Sequence, residues 1–387
     1  MKASLPALAL ACAMSPLYCA VAADAPDTPP TGGFVPTPGM ITMKNLVDAG
    51  VLVPMLTDEY FGLHQARIGE SRNNTQYAEN QPPGKPLPRF RDNDQLYIAP
   101  LTLTHELPAS SGASFVRLAA TGTKAYGDPS VALENDGTIK RAALQFLRAP
   151  TPDRIYGVGL TYMTYAFDNL FNRDPLGSHA SIGYRGWGLQ LMAAQDFAGP
   201  LAAFARAEYT KGESSFSLTQ NIAPGVSIPI HYSGQRDDHL YLESQLVGTW
   251  DNHNASWMPA NWVLHPALGA TFQRDFIGEA TTNLGTRIGG AVGSTEDYGL
   301  VFAKMVLEKK AFFSPDLQVT PRFTLGVEHE YVDDLDRYLS EPTSLVSGIG
   351  LGLSKFGQRL DIDYTRRDGL DNRRDASTLV VALSFVF

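Results

Sequence analysis

The stretch that decides the fold runs from Leu317 to Tyr331 and reads Leu-Gln-Val-Thr-Pro-Arg-Phe-Thr-Leu-Gly-Val-Glu-His-Glu-Tyr. Leu317, Val319, Pro321, Phe323, Leu325, Val327 and Tyr331 share one parity, with His329 as the exception. Gln318, Thr320, Arg322, Thr324, Gly326, Glu328 and Glu330 hold the other. Successive side chains of a strand point to opposite faces. One face is therefore apolar along the whole stretch and the other is polar and charged. Strands average about 5–6 residues, and a charged face cannot form a dry core. The pattern predicts a strand of a membrane barrel, oily toward lipid and hydrophilic toward an enclosed interior.

The same alternation recurs. Val301, Ala303, Met305 and Leu307 oppose Phe302, Lys304, Val306 and Glu308; Leu360, Ile362 and Tyr364 oppose Arg359, Asp361, Asp363 and Thr365. Leu240, Leu242, Leu246 and Trp250 oppose Tyr241, Glu243, Gln245 and Thr249, and Tyr156, Val158, Leu160 and Tyr162 oppose Gly157, Gly159 and Thr161. The chain ends Thr378-Leu-Val-Val-Ala-Leu-Ser-Phe-Val-Phe387, with Leu379, Val381, Leu383, Phe385 and Phe387 on one face. A closing strand with a terminal Phe resembles bacterial outer-membrane barrels. In that class the end, here Leu383, Phe385 and Phe387, is what the assembly machinery reads. The fold class expected is all-β: a closed antiparallel transmembrane β-barrel.

Composition agrees. Of 387 residues, 44% are hydrophobic and 18% charged, below the usual share of roughly 25%. No apolar run reaches the ~18 residues of a membrane helix. The 16 Tyr, 19 Phe and 4 Trp argue against disorder, and a net charge of −9 argues against nucleic acid as a partner. The N-terminus has Lys2, an apolar run from Ser4 to Met14, and Ala20-Val21-Ala22, which predicts a secretory leader cut after Ala22 or Ala23. Cys12 and Cys19 both fall inside it, so no thiol chemistry is expected of the mature chain.

Three regions are expected: a signal peptide at 1–23, a Pro-rich extension at 24–91 serving as plug or loop, and a barrel at 92–387. Within the extension, Thr42 to Gly50 reads as a short helix capped by Thr42, more readily a surface helix than a plug. Ser71 to Arg91 reads as a polar loop. Short turns are expected at 151–154, 198–200, 314–316 and 355–357. Longer loops are expected at 124–137, 167–180, 213–225, 251–259, 332–344 and 368–375. Tyr165, Trp187, Tyr209, Trp250, Trp257, Trp262, Tyr298 and Tyr331 suit aromatic girdles. Pairing strands backward from Phe387 reaches about twelve at Arg154 and about fourteen at Ala113. Asp92–Glu106 then needs a partner, for which Glu59–Ile68 would make about sixteen. Single-chain bacterial barrels have even counts.

From about Arg154 onward the chain resembles an autotransporter-type barrel without a passenger. The residues carrying this are Tyr156-Gly-Val-Gly-Leu160, Gly183-Tyr-Arg-Gly-Trp-Gly-Leu189, Pro266-Ala-Leu-Gly-Ala270 and Leu383-Ser-Phe-Val-Phe387. The resemblance implies about twelve strands with a helix threading the pore. Only Asp24 to Arg91 precedes the first clear strand, too short and Pro-rich for a β-helical passenger.

Four groups of residues could carry chemistry. His179-Ala180-Ser181 puts an imidazole and a hydroxyl on one strand face, as in outer-membrane lipid hydrolases. An orienting carboxylate or amide is missing about a dozen residues on, where Ala193 and Ala194 stand. The remaining histidines (His64, His105, His231, His239, His253, His265, His329) have no metal-ligand spacing, so no metal and no cofactor is expected. The loop acids Asp333, Asp334 and Asp336 read as solvated rather than cation-binding. The inward charges are Arg117, Arg206, Glu208, Glu243, Lys304, Glu308, Arg322, Glu328, Glu330, Arg359, Asp361 and Asp363. They either line a diffusion path or form an ion-pair network filling a narrow barrel, and the second is favoured because a twelve-strand barrel leaves little lumen.

The expected function is that of a structural, surface-presenting barrel in the outer membrane of a Gram-negative bacterium, with no catalysis. The alternatives are a passive, porin-like solute channel and a lipid hydrolase using His179 and Ser181. Expected partners are outer-membrane lipid, lipopolysaccharide and, during biogenesis, the barrel-assembly machinery.

Overall fold

A computed structural model describes residues 37–79, 92–127, 133–171, 176–197, 199–288, 295–314, 317–334, 342–355, 357–371 and 374–387. The expected leader and residue Asp336 lie outside these described residues.

Among the described residues three helices come first: α1 (Pro38–Asp48), α2 (Val53–Thr57) and α3 (Glu59–Glu79). α1 starts earlier than the sequence suggested. The Thr37 hydroxyl accepts the Met40 N–H at 3.2 Å and Pro38 occupies the first turn, a position where the missing proline N–H costs nothing. Thr42 is therefore interior, and its hydroxyl donates to the Pro38 carbonyl at 3.0 Å. α1 is also not a surface helix, since Met43 and Leu46 are buried. Glu59–Ile68, considered as a strand, is the first half of α3, and the expected loop from Ser71 is helical as far as Glu79. The reason lies in the surroundings. Tyr60, Phe61, His64, Gln65, Arg67 and Ile68 are all buried, so the helix is enclosed on every side and shows no single apolar stripe.

The strands are β1 (Asp92–Leu107), β2 (Ala113–Tyr126), β3 (Leu133–Thr151), β4 (Arg154–Phe171), β5 (His179–Asp196), β6 (Leu201–Ala223), β7 (Val226–Gly248) and β8 (Trp262–Ile277). There follow β9 (Ala280–Thr281), β10 (Arg287–Ile288), β11 (Thr295–Lys309), β12 (Ala311–Ser314), β13 (Leu317–Asp333), β14 (Thr343–Lys355), β15 (Gln358–Gly369) and β16 (Arg374–Val386). β9 and β10 form a separate pair, and β12 attaches to β13 outside the ring. The other thirteen close a barrel, β8 pairing with β11, β11 with β13, and β16 with β1.

The closed all-β barrel is as expected, with a strand count just above the twelve implied by resemblance. The odd number has a structural cause. β1 and β16 run parallel, from Asp92↔Arg374 to Thr104↔Val386. The Thr37 hydroxyl binds the Glu106 carboxylate, and the Glu106 N–H donates to the Phe387 carbonyl at 2.9 Å, so α1 begins at the end where the chain finishes. α3 then runs to the opposite end, where Arg67 meets Asp333 at 3.2 Å. The helix supplies one passage through the lumen before β1 returns, and the total number of passages stays even.

Connections are short at the Phe387 end, with only Pro152 and Asp153 between β3 and β4. Two loop expectations are corrected. Residues 213–225 are mostly strand, because β6 and β7 continue as a hairpin turned by Pro224 and Gly225, the latter with φ 75°. The 251–259 loop lies at the short-turn end, because it joins β7 to β8. Trp187, Tyr209 and Tyr331 are exposed on the outside and Trp257 in the β7–β8 loop, but Tyr165 and Tyr298 are buried inward. Tyr165 has the parity opposite to Tyr156, Val158 and Leu160, and stacks on Tyr184 at 4.8 Å.

Candidate functional site: the lumen and its plug

The wall separates two solvents. Val158, Leu160, Leu189, Leu191, Leu268, Phe323 and Ile349 stand exposed on the outside. Arg117, Arg206, Glu208, Glu243, Arg322, Glu328 and Asp361 are buried inside. Such an outer surface is stable only against hydrocarbon.

The centre of the lumen is organised by two adjacent carboxylates at the start of α3. Asp58 adopts a left-handed conformation with φ 53°. Its carboxylate accepts Arg206 Nη1 at 2.6 Å, Arg141 Nη1 at 3.2 Å and the Thr121 hydroxyl at 3.2 Å. Arg206 also reaches Glu243 at 2.6 Å, and Arg141 reaches Glu208 at 2.5 Å. Thr161 and Gln190 complete Glu208 at 2.8 and 3.1 Å. Both guanidinium groups lie over the Phe61 ring, at 4.7 and 5.4 Å. Arg117 donates to the Met55 carbonyl at 2.9 Å.

Glu59 faces the opposite arc. It accepts Arg367 Nη2 at 2.7 Å, and Arg367 Nε binds Glu328 at 2.8 Å. The Tyr60 hydroxyl donates to Glu328 at 3.0 Å. Glu330 accepts the Tyr298 hydroxyl at 2.8 Å and Arg374 at 3.3 Å. Arg322 binds Asp361 at 2.6 Å and Asp363 at 2.8 Å, and Arg359 binds Asp361 at 2.6 Å. Glu308 lies 3.7 Å from His265 Nε2. The Lys304 ammonium sits 4.2 Å from the Tyr60 ring centre. All twelve charges singled out in the sequence thus lie on the lumen side of their strands.

Inward glycines allow side chains to bond across an intervening strand. Gly350 of β14 pairs with both Arg322 and Asp363. With strands about 4.8 Å apart, Arg322 crosses over Gly350 and Gly352 to reach β15, and a Cβ on Gly350 would collide with Asp363. Gly159 does the same for the bond between Gln145 and Gln190.

The sequence reading missed Asp58, Glu59, Arg141 and Arg367. For the two arginines the parity signal was available: Arg141 shares the inward parity of Ile139 and Ala143, and Arg367 that of Asp363 and Thr365. A further buried cluster was also missed. Asp237, His239 and Asp275 bring their ligand-capable atoms within 4.8 Å of one another, with His239 Nε2 3.0 Å from Asp237. Gln273 donates to Asp275 at 2.8 Å, and the Tyr184 ring stacks on His239 at 4.5 Å.

His179 and Ser181 open β5 opposite Thr219 and Ser217. They face outward, since Ala180 and Ile182 are the buried neighbours. Among the described residues no hydrogen bond joins them. Asp333 binds Arg67, while Asp334 accepts the Asp297 N–H at 3.3 Å. Leu383 on β16 and Phe387 just past its end are exposed, at the strand that closes on β1.

The chain is a plugged membrane β-barrel. No protein-family model and no curated protein matches it. Similar solved structures include the β domain of the Bordetella autotransporter Brka, with TM-score 0.49 and 13% identity over 66% of this chain and 93% of that one. The translocator domain of autotransporter NalP from Neisseria meningitidis has TM-score 0.45 and 11% identity over 86% and 99%. The Ralstonia pickettii toluene transporter TbuX has TM-score 0.38 and 10% identity over 76% and 87%. Autotransporter domains, which the glycine-rich motifs resemble, are thus among the structures similar to this chain.

Proposed function

We propose that this protein is an outer-membrane barrel held closed to free diffusion by its own N-terminal helices, with a structural and surface-presenting role. The observation that carries this is the double anchorage of α3, through Asp58 to Arg141 and Arg206 and through Glu59 to Arg367. The C-terminal strand ends at the short-turn side, which in a bacterial barrel is periplasmic. The β6–β7 hairpin then projects outward. Each strand has 23 residues, against about 9–11 needed to cross. Ser214 to Gln235 contains no Asp, Glu, Lys or Arg, and Ile222 and Val226 are exposed near its tip.

Planar-bilayer recording tests the reading. The full chain should give no steady single-channel steps, and a variant lacking residues 37–79 should conduct. Stable large steps from the intact chain would overturn it. A second reading, gated solute passage, is favoured by one observation: a cavity of about 130 Å³ beside the plug.

A further inference from the structure

The cavity lies between the α2–α3 junction and the arc from β7 to β16, bordered toward the short-turn end by Gly50, Val247 and His265. α1 and α2 pack against the other arc, through Met43, Leu46, Leu52 and Met55 on Phe115, Leu147 and Phe204.

Its charged lining is paired, with one exception. Glu59 is bound by Arg367 at 2.7 Å, Glu243 by Arg206 at 2.6 Å and Asp363 by Arg322 at 2.8 Å, and Glu308 lies 3.7 Å from His265. Lys304 has no carboxylate in salt-bridge reach among the described residues. Its ammonium rests instead on the stacked rings of Tyr60 and Phe302, at 4.2 and 5.0 Å. A cation–π contact contributes about 0.5–2 kcal/mol and leaves ammonium N–H donors without an acceptor oxygen. The rest of the wall is largely apolar, including Val53, Pro54, Ala267, Val306 and Val380.

We propose that this cavity is a binding site for a small organic monocarboxylate, its carboxylate on Lys304 and its compact apolar body against the aliphatic wall. Size limits the ligand. An apolar cavity of about 150 Å³ takes up benzene; this one measures about 130 Å³, so the apolar body is a short aliphatic chain. The charge preference follows from Lys304, whose ammonium rests on two rings and meets Glu59 only beyond salt-bridge reach. The neighbouring Glu59, Glu308 and Asp363 oppose a second negative charge and so disfavour dicarboxylates. The site does not depend on whether the barrel conducts.

Butyrate is the probe, titrated calorimetrically into the full-length protein in detergent. Saturable binding is expected, at least tenfold tighter than that of the neutral isostere butyramide. K304Q should lose at least tenfold in affinity and K304R should retain most of it, both with unchanged heat-modifiable migration on gels. Butyramide or butylamine binding as well as butyrate, or K304Q binding it unchanged, would overturn the proposal, as would absence of saturation. Should K304Q fail to fold, the butyrate-to-butyramide ratio on the unaltered protein decides alone.

Discussion

The two parts of the plug are held by different physics. α1 and α2 meet the wall through apolar contact: Phe115, Leu147, Ile155, Met192 and Phe204 close over Met43, Leu46, Leu52 and Met55. The start of α3 meets it through charge on both sides: Arg141 and Arg206 hold Asp58, and Arg367 holds Glu59. Apolar burial fills space and is insensitive to salt. A buried ion pair fixes one geometry, because removing either partner leaves the other charge uncompensated.

The strongest way to break the comparison is at its joint. Asp58→Ala leaves Arg141 and Arg206 short of a buried partner, a loss of about 3–5 kcal/mol when a buried pair is broken. The expected outcome is a lowered unfolding midpoint in urea together with new single-channel steps. Truncating the apolar seat, as in Phe115→Ala, should cost about 3–5 kcal/mol, toward the lower figure because plug residues can settle into the gap. That loss should be equal at low and high salt. Gly350→Val should displace Arg322 from Asp363 at about 1–3 kcal/mol, seen as a lowered unfolding midpoint in urea. The smallest effect should come from Arg359→Gln, at about 0–1 kcal/mol, because Arg359 is partly exposed and Arg322 still holds Asp361. Because its cause is a steric clash, the Gly350→Val loss should persist in 1 M salt, although the screening length there falls to about 3 Å. Disappearance of the difference would show that its cause is electrostatic.

Much of the barrel was legible before the structure. The parity of Leu317 to Tyr331 places Arg322 and Glu328 inside and Phe323 outside, and the same parity places the other inward charges. The first wall strand begins at Asp92, where alternation becomes clear. The plug was not legible, because a helix buried on all sides by a polar interior loses the one-sided stripe that marks helices in a sequence. Thr42 drew attention as a cap, while Thr37-Pro38 did the work through a local hydrogen bond. The thirteenth strand was hidden because parity rules count passages, and one passage is helical. The long β6–β7 hairpin read as a loop because its outer half has no lipid face to alternate against.

By itself the chain determined which side of each strand meets lipid, since side-chain direction alternates with every peptide unit and needs no partner to define it. Which arginine meets which carboxylate, how Arg322 passes over Gly350, and where the cavity lies were decided only by closure of the ring around the helices. Those facts depend on register and on distances between residues hundreds of positions apart, such as Glu59 and Arg367, and no local pattern carries them.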